Sequence, residues 1–213
     1  MHIHEVILSG SPQGIAVLSV GAAGAVAGTA LGLRRIDYER VPRVAMLSAA
    51  FFVVSVVQLQ LGPASVHLVL NGLVGLILGW AAFPALLIAL LLQAVFFFEG
   101  GLLALGLNTF TMALPAVVCY YLFHRPVQWR NGALAFSAGL GAGALGVLLA
   151  AFLTATALWV SGETFRFFAG AVLAVNLGLA VVEGLVTASV VMFLRKVRPE
   201  LLDAPLMMPN SKA

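Results

Sequence analysis

The chain is an almost unbroken series of apolar segments, separated by short breaks that contain glycine, proline or arginine. A bilayer core about 30 Å thick needs about 20 apolar residues for each helical crossing. Only 9% of the residues are charged and 62% are hydrophobic, whereas a soluble domain carries about 25% charged residues. The segments lack the alternating pattern of a transmembrane barrel. The sequence therefore predicts an all-α, polytopic membrane helix bundle without a separate soluble enzyme domain.

Glycine, proline and charged residues divide the chain into seven predicted transmembrane helices, at residues 14–33, 44–59, 66–80, 83–98, 105–123, 133–160 and 165–194. The break between the third and fourth spans has two interpretations. Gly79 and Pro84 are typical either of a tight turn or of a kinked continuous helix. We treat residues 1–198 as one transmembrane domain and residues 199–213 as a short cytoplasmic tail.

Basic residues cluster after the first, fifth and last predicted spans, at Arg34, Arg35, Arg40 and Arg43, at Arg125 and Arg130, and at Arg195, Lys196 and Arg198. The positive-inside rule places all three clusters in the cytoplasm. Seven spans satisfy this rule if the chain turns near Pro84, and the N-terminus is then outside and the C-terminus inside. The outer segments would carry Glu5, Glu99 and Glu163, and an acidic rim concentrates cations.

The first span contains glycines at a spacing of four, Gly24, Gly28 and Gly32. A stripe of small residues lets a second helix approach closely within a membrane. That helix can belong to this bundle or to a partner subunit, and the sequence does not distinguish between the two.

Histidines near the N-terminus are the residues best suited to bind a metal. Cys119 is the only cysteine, which excludes a disulfide framework and a cysteine-based metal site. The start of the chain lacks the basic region of a signal peptide, so we expect Met1 to be the mature N-terminus. The amine of Met1, the amide nitrogen of His2 and the His2 imidazole can then chelate one metal. A planar set of nitrogen donors favours Ni²⁺, Cu²⁺ or Co²⁺.

His67 is the candidate for the fourth nitrogen, because the predicted topology puts it at the outer end of the third span. Ser65 is predicted to cap that helix, which places His67 in its first turn. Asn71 would follow at i+4 on the same face and hold the other ring nitrogen. Taken alone, His67 is more typical of an interfacial histidine whose ring reaches the headgroups. The Met1-His2 terminus on the same side makes the metal interpretation the favoured one.

Three segments carry a resemblance to a known family: the opening Met1-His2-Ile3, the run SVHLVLNGLVGLILG at 65–79, and the run LLQAVFFFEGGLLALGLNTFTMA at 91–113. Together they resemble the membrane-embedded substrate-capture subunit of the nickel and cobalt energy-coupling-factor transporters. The resemblance implies seven helices with the N-terminus outside, and a metal held in a square of nitrogens by Met1, His2 and His67.

The resemblance also implies residues that hold the metal-binding loop by hydrogen bonds: Gln93, Glu99 and Asn108. The chain departs from the family pattern after its first three residues, where members commonly have Met or Pro followed by an acidic residue and Gly. Here His4, Glu5 and Val6 stand instead. We interpret His4 as a solvated outer residue rather than as an axial ligand or an entry ligand.

The predicted function is capture of Ni²⁺ or Co²⁺, as transported substrate, at the outer face of a prokaryotic cell (inner) membrane. No phosphate-binding loop of the G-x-x-x-x-G-K-[ST] type occurs, so we expect ATP hydrolysis on other subunits and no enzyme activity on this chain. The resemblance implies a transmembrane coupling subunit, ATP-binding cassette ATPase subunits and a small accessory membrane subunit as partners, with membrane lipid and without nucleic acid.

Two alternatives belong to other classes of protein. An intramembrane hydrolase could use Ser65 with His67, or Ser189, but residues i and i+2 do not face each other on a helix. A binder of an organic solute would carry its histidines incidentally. Glu183 is an ionisable residue at predicted membrane depth and thus a functional candidate by default. We interpret it as a helix–helix hydrogen-bonding group, near Asn176.

The proposed ligand set predicts a steep pH dependence, because the amine, the amide and the imidazoles must all lose protons before they bind a metal. An imidazole in water has a pKa of about 6.5. Lowering the pH from about 7.5 to about 5.5 should therefore weaken Ni²⁺ binding at least about 100-fold. Calorimetric titration of the purified protein at both pH values measures this, and equal affinities would contradict the nitrogen ligands.

Overall fold

The computed structural model describes residues 11–36, 41–56, 58–61, 64–68 and 70–203. Within these ranges, the side chains of residues 43, 55, 56, 58–61, 64–67, 164 and 203 are not described, and only their backbone enters the account.

The described residues form seven helices of eight residues or more, one two-stranded hairpin and a short final helix. In chain order the elements are α1 Pro12–Leu33, α2 Val41–Val56, β1 Gln58–Leu61, β2 Ala64–His67, α3 Asn71–Leu78, α4 Ala82–Phe97, α5 Leu105–Gln128, α6 Gly132–Ser161, α7 Arg166–Val197 and α8 Glu200–Asp203. Turns of 3₁₀ helix, Gly79–Ala81 and Glu163–Phe165, precede α4 and α7.

By length and composition alone, five helical stretches could cross a membrane: Pro12–Leu33, Asn71–Phe97, Leu105–Gln128, Gly132–Ser161 and Arg166–Val197. The second of these stretches comprises both α3 and α4. A shorter apolar helix covers Val44–Val54. Large apolar side chains such as Val20, Val26 and Phe167 point outward, as the lipid-facing side of a membrane helix requires. The predicted helical, multi-pass membrane bundle is confirmed.

Polar side chains mark the beginnings of two of the long helices. The Ser11 hydroxyl accepts a hydrogen bond from the Gly14 N–H at 3.0 Å, and Pro12 follows it in the first turn of α1. The Asn131 side chain accepts from the Ala133 N–H at 2.9 Å at the start of α6. Both arrangements satisfy N–H groups that have no partner within a helix. The helix boundaries therefore follow from local sequence.

The directions of the helices follow from close contacts at small residues. Gly21 of α1 lies against Leu107 of α5, and Gly24 lies against Phe110, so α1 and α5 run in the same direction. In α6 and α7, Gly139 lies against Ala188. Further along α6, Gly143 lies against the Glu183 backbone, so these two helices are antiparallel.

The described members of the three basic clusters lie at one end of the bundle, called here the basic end: Arg34, Arg35, Arg125, Arg130, Arg195, Lys196 and Arg198. The Arg35 guanidinium lies 5.3 Å from the centre of the Trp80 ring. The Trp80 indole donates a hydrogen bond to the Tyr121 hydroxyl at 2.9 Å. Arg195 donates to the Trp129 carbonyl at 2.6 Å. The predicted topology requires this shared end, and the side of the membrane that it occupies remains a prediction.

The chain reverses direction at Gly79, between α3 and α4. Gly75 lies against Ala116 and Gly79 against Tyr120, so α3 runs in the same direction as α5. Helix α4 begins beside the C-terminal half of α5 and ends at the short link that leads to the start of α5, so it runs the opposite way. Gly79 has φ +53°, a conformation that favours glycine. Of the two interpretations of this break, the turn is correct, and it precedes Pro84.

The predicted start of the third span is wrong. Residues Ala64–His67 form a strand that pairs with Gln58–Leu61 in antiparallel register, with His67 opposite Gln58. The second helix accordingly ends at Val56, before the predicted limit at residue 59. Helix α3 begins at Asn71, after Leu70 at φ +49°. Short apolar runs do not distinguish a strand from a helix by periodicity, which is why the sequence was misleading here.

This hairpin removes two arguments that depended on a helix. Ser65 does not cap a helix, and His67 and Asn71 are not related by one helical turn, because a strand ends and a helix begins between them. The backbone of Ser65 and of His67 belongs to a strand rather than to a helix. The helix-based objection to a serine–histidine pair therefore does not hold.

The glycine stripe of α1 faces this chain's own residues. A Cβ at Gly24 would lie 2.5 Å from the Phe110 ring, one at Gly28 would overlap Phe83, and one at Gly32 would lie 2.5 Å from the Trp80 carbonyl oxygen. Of the two interpretations of Gly24, Gly28 and Gly32, packing within the bundle is the one that the structure shows. This face has no room for a partner helix.

The contact between α3 and α5 gives a test of this packing. Because a Cβ at Gly75 would overlap the backbone of Ala116, Gly75→Ala should lower the free energy of unfolding by about 1–3 kcal/mol or more. The matched control is Gly178→Ala in α7, where no atom lies within 4 Å of the added methyl group. Thermal unfolding in detergent should show a lower midpoint for Gly75→Ala alone, and equal midpoints would contradict the contact.

Candidate metal site

Helix α3 begins in the interior of the bundle rather than at its surface. Asn71 is fully buried, and the next residue, Gly72, lies against Gly146 near the midpoint of α6. The Leu70 N–H donates to both carboxylate oxygens of Glu183, each at 2.9 Å, near the midpoint of α7. Broken helices are tolerated at membrane depth where the freed backbone groups find partners inside the protein. Glu183 is such a partner.

The Asn71 side chain makes no hydrogen bond in the described structure, although it is fully buried. The hydroxyl of Thr187, also fully buried, likewise lacks a hydrogen-bond partner there. An unsatisfied buried polar group costs about 1–3 kcal/mol. Such groups in a native structure require an explanation, and for Asn71, which follows the segment that carries His67, a functional role is one explanation. The Asn71 amide lies four residues after His67, at the point where the extended segment becomes a helix.

A second group of polar residues lies at the end of the bundle opposite the basic end. Gln93 and Asn108 are 2% exposed, and Glu99 is half-buried. The Glu99 N–H donates to the Gln93 carbonyl at 3.4 Å. The Thr111 hydroxyl donates to the Asn108 carbonyl at 3.2 Å. These residues lie near the link between α4 and α5, as predicted, and their role in holding a metal-binding loop remains a prediction.

The hairpin and the start of α1 lie at this same end. The Ser11 hydroxyl donates to the Ser161 carbonyl at the C-terminal end of α6, at 3.3 Å. Helix α2 runs alongside α4, with the Ser48 hydroxyl bound to the Ala85 carbonyl at 2.7 Å. It thus runs away from the basic end and leads into β1 and β2. Residues 1–10 therefore join the described chain at the end of the bundle where β2 ends at His67.

The predicted ligands themselves lie mostly outside the described residues. This applies to Met1, His2 and His4, and of His67 only the backbone is described. Among the described side chains, no group of three His, Cys, Asp or Glu residues is close enough to hold a metal. The structure thus tests the position of the segment that carries His67, and the ligand set remains a prediction.

One exposed ion pair lies at this end of the bundle. Arg166 contacts Glu163 at 3.1 Å, and its guanidinium lies 5.0 Å from the centre of the Trp159 ring. Exposed ion pairs contribute little to stability. The pair neutralises one of the acidic residues predicted for the outer rim.

The contact between Glu183 and Leu70 is the feature that sequence reasoning missed. Glu183 stands out in the sequence as an ionisable residue at membrane depth. Its interpretation as a helix–helix hydrogen-bonding group did not identify the partner, which is a backbone N–H 113 residues away. Asn176, its neighbour in sequence, donates to the Val172 carbonyl of its own helix at 2.7 Å.

The fold and its interior polar groups define a multi-pass α-helical membrane protein with a polar site at one end of the bundle. A family model described as CbiM, the cobalt uptake substrate-specific transmembrane region, matches residues 2–201. The chain belongs to this family, whose members include nickel and cobalt transport proteins.

Relatives and solved structures agree with this assignment. A metal transport protein of Haemophilus influenzae is 40% identical over 95% of this chain and 97% of its own length. The cobalt transport protein CbiM of Sorangium cellulosum is 34% identical over 76% of each chain. A fused nickel transport protein, NikMN, of Rhodobacter capsulatus is 33% identical over 79% of this chain and 54% of its own length. The crystal structure of a transition metal transporter matches 92% of this chain and 93% of its own, with 27% identity and a TM-score of 0.70.

Asn71 gives a test of whether its buried amide serves the fold. Replacing an unpaired polar group by an apolar group of similar shape is nearly neutral or stabilising, so Asn71→Leu should keep or raise the midpoint of thermal unfolding. The control is Ser48→Ala, which removes a buried hydrogen bond of 2.7 Å and should cost about 1 kcal/mol. A large loss of stability in Asn71→Leu alone would show that the amide has a structural partner.

Proposed function

We propose that this chain is the substrate-capture component of an energy-coupling-factor importer for Ni²⁺ or Co²⁺. The metal is bound at the end of the bundle opposite the basic end, by the Met1 amine, the His2 amide and imidazole nitrogens, and His67. The observation that carries the proposal is the shared position of two segments. Strand β2, which ends at His67, lies at the end of the bundle where residues 1–10 join α1.

The length of the N-terminal segment is compatible with a shared site. An extended chain covers about 3.3–3.6 Å per residue, so the ten residues before Ser11 reach about 35 Å. That length exceeds the height of the bilayer core and allows Met1 to reach any part of this end. The buried amide of Asn71 supports the proposal further, since ligating imidazoles commonly hydrogen-bond a second polar group.

The orientation follows from charge. The basic end carries seven Lys and Arg residues whose side chains are described, from three clusters. Clusters of this kind are cytoplasmic in most membrane proteins. The end that carries His67 would then face outward, where Glu99 adds negative charge and Glu163 is balanced by Arg166. A cation arriving from outside meets this end first.

The choice between nickel and cobalt rests on ligand chemistry. A deprotonated amide in a square of nitrogens suits low-spin Ni²⁺ better than Co²⁺, and this favours nickel. Relatives of the chain are named for both metals. Cu²⁺ binds nitrogen ligands more strongly than either, so discrimination against copper would depend on geometry and metal availability.

Partner subunits are part of the proposal because the sequence carries no phosphate-binding loop. A transmembrane coupling subunit and ATP-binding cassette ATPase subunits would supply the energy for uptake. A small accessory membrane subunit is supported by the fused nickel transport relative, of which this chain spans 54%.

None of the described side chains favours either alternative, and the Ser65 and His67 side chains lie outside that description. Ser189 is exposed on the outer side of α7, and its hydroxyl donates to the Leu185 carbonyl of the same helix at 2.7 Å. A nucleophile needs a base within hydrogen-bonding distance and an orienting group behind it, and no such group is described near Ser189. If the chain were an organic-solute binder, its binding of the solute would not depend on a metal ion.

The test is metal titration of the purified protein with a free Met1 amine. His67→Ala and a version extended by a few residues before Met1 should each lower Ni²⁺ affinity by at least about 100-fold, because each removes a ligand of the square. The control is His124→Ala, at the basic end near Gln128, which should bind Ni²⁺ like the wild type. Unchanged affinity in either of the first two variants would overturn the proposed site.

A further inference from the structure

We infer that Glu183 is a positioning residue for metal binding, which acts by fixing the backbone that follows His67. This inference rests on the proposed function, in which His67 is a ligand. It assigns a role to the one acidic side chain that the described structure buries completely near the midpoint of a membrane helix.

The contact joins Glu183 to the point where the extended segment becomes helix α3. Both carboxylate oxygens accept from the Leu70 N–H at 2.9 Å, three residues after His67. Leu70 stands at the N-cap position of α3, where no side chain of the segment caps the helix. An acceptor at this position pairs a backbone N–H that has no partner within the helix. Glu183 thus supplies from α7 the cap that the local sequence lacks.

The carboxylate is held in place by close packing of three helices. A Cβ at Gly143 of α6 would overlap the Glu183 carbonyl oxygen and lie 2.7 Å from the Thr187 hydroxyl. A Cβ at Gly146 would lie 2.8 Å from the Gly72 nitrogen. Glycine therefore lets α7 and α3 approach α6 on neighbouring turns. Because backbone meets backbone at both places, the distance between Glu183 and Leu70 has little freedom to change.

The segment that carries His67 needs such an anchor. Its only sheet partner in the described structure is β1, and an isolated two-stranded hairpin is marginally stable. A square-planar metal site requires its ligands at fixed positions, and partners that orient a ligand affect metal affinity about 10- to 100-fold. Loss of the carboxylate would free the backbone after His67, so that the imidazole no longer occupies one position.

The experiment combines substitutions at Glu183 and His67 in the full-length protein, with Ni²⁺ affinity as the readout. Glu183→Met keeps the length and removes both acceptors, and it should lower affinity about 10- to 100-fold. Glu183→Gln keeps one oxygen acceptor and should recover most of that loss. In the double variant with His67→Ala, Glu183→Met should cause no further loss, because a positioning residue acts only through its ligand.

Controls separate positioning from general destabilisation. Thr187→Val, one turn further along α7, removes a buried hydroxyl without a hydrogen-bond partner in the described structure and should leave Ni²⁺ affinity unchanged. If Glu183→Met is not recovered as folded protein, Glu183→Asp takes its place. Aspartate is shorter by one methylene group and draws the carboxylate away from the Leu70 N–H, so this variant should still lower Ni²⁺ affinity.

The possible outcomes distinguish failure of the positioning role from failure of the metal site. Wild-type affinity in Glu183→Met, or in Glu183→Asp where that variant replaces it, would overturn the inference and leave the proposed function intact. A loss that is equally large on the His67→Ala background would also overturn it, since Glu183 would then act independently of His67. Unchanged affinity in His67→Ala alone would instead refute the proposed function.

Discussion

Close approach between helix backbones is the constraint on which the rest of this bundle depends. At Gly72, Gly75 and Gly143 a Cβ would overlap the backbone of a neighbouring helix, so α3, α5, α6 and α7 meet without intervening side chains. In a membrane, helices gain little from hiding apolar surface and associate mainly through packing. The tight contacts therefore hold α3 at a depth where its first turn is surrounded by protein. The polar groups at that turn can be buried because the surrounding helices are this close.

The sequence predicted the long helices well and the irregular segment poorly, for physical reasons. Length and hydropathy are sufficient for α1, α5, α6 and α7, because each alone is long enough to span the bilayer core. The segment around Val56 to Leu70 is also apolar, but its conformation depends on strand pairing and on a positive φ at Leu70. Neither leaves a periodic pattern in so short a run.

At the candidate site, likewise, the sequence predicted residue types better than contacts between residues that lie far apart in the chain. Residue chemistry indicated His67 and Asn71, and the family resemblance indicated Gln93 and Asn108. The structure places the backbone or side chains of all four away from the basic end. The partner of Glu183 could not be found from the sequence, since it is a backbone group on a distant segment and no residue type encodes it. Side-chain identity thus predicted what kinds of groups are present, whereas their pairing required the three-dimensional arrangement.

The shortness of α3 has a consequence for how the protein is assembled. Its eight residues rise about 12 Å, less than half of the bilayer core, and the two groups that hold its first turn, Gly146 and Glu183, are synthesised much later. When α3 leaves the ribosome, the neighbours that complete it have not yet been made. Its final placement must therefore await α6 and α7, so the segment that carries His67 takes shape late in biogenesis.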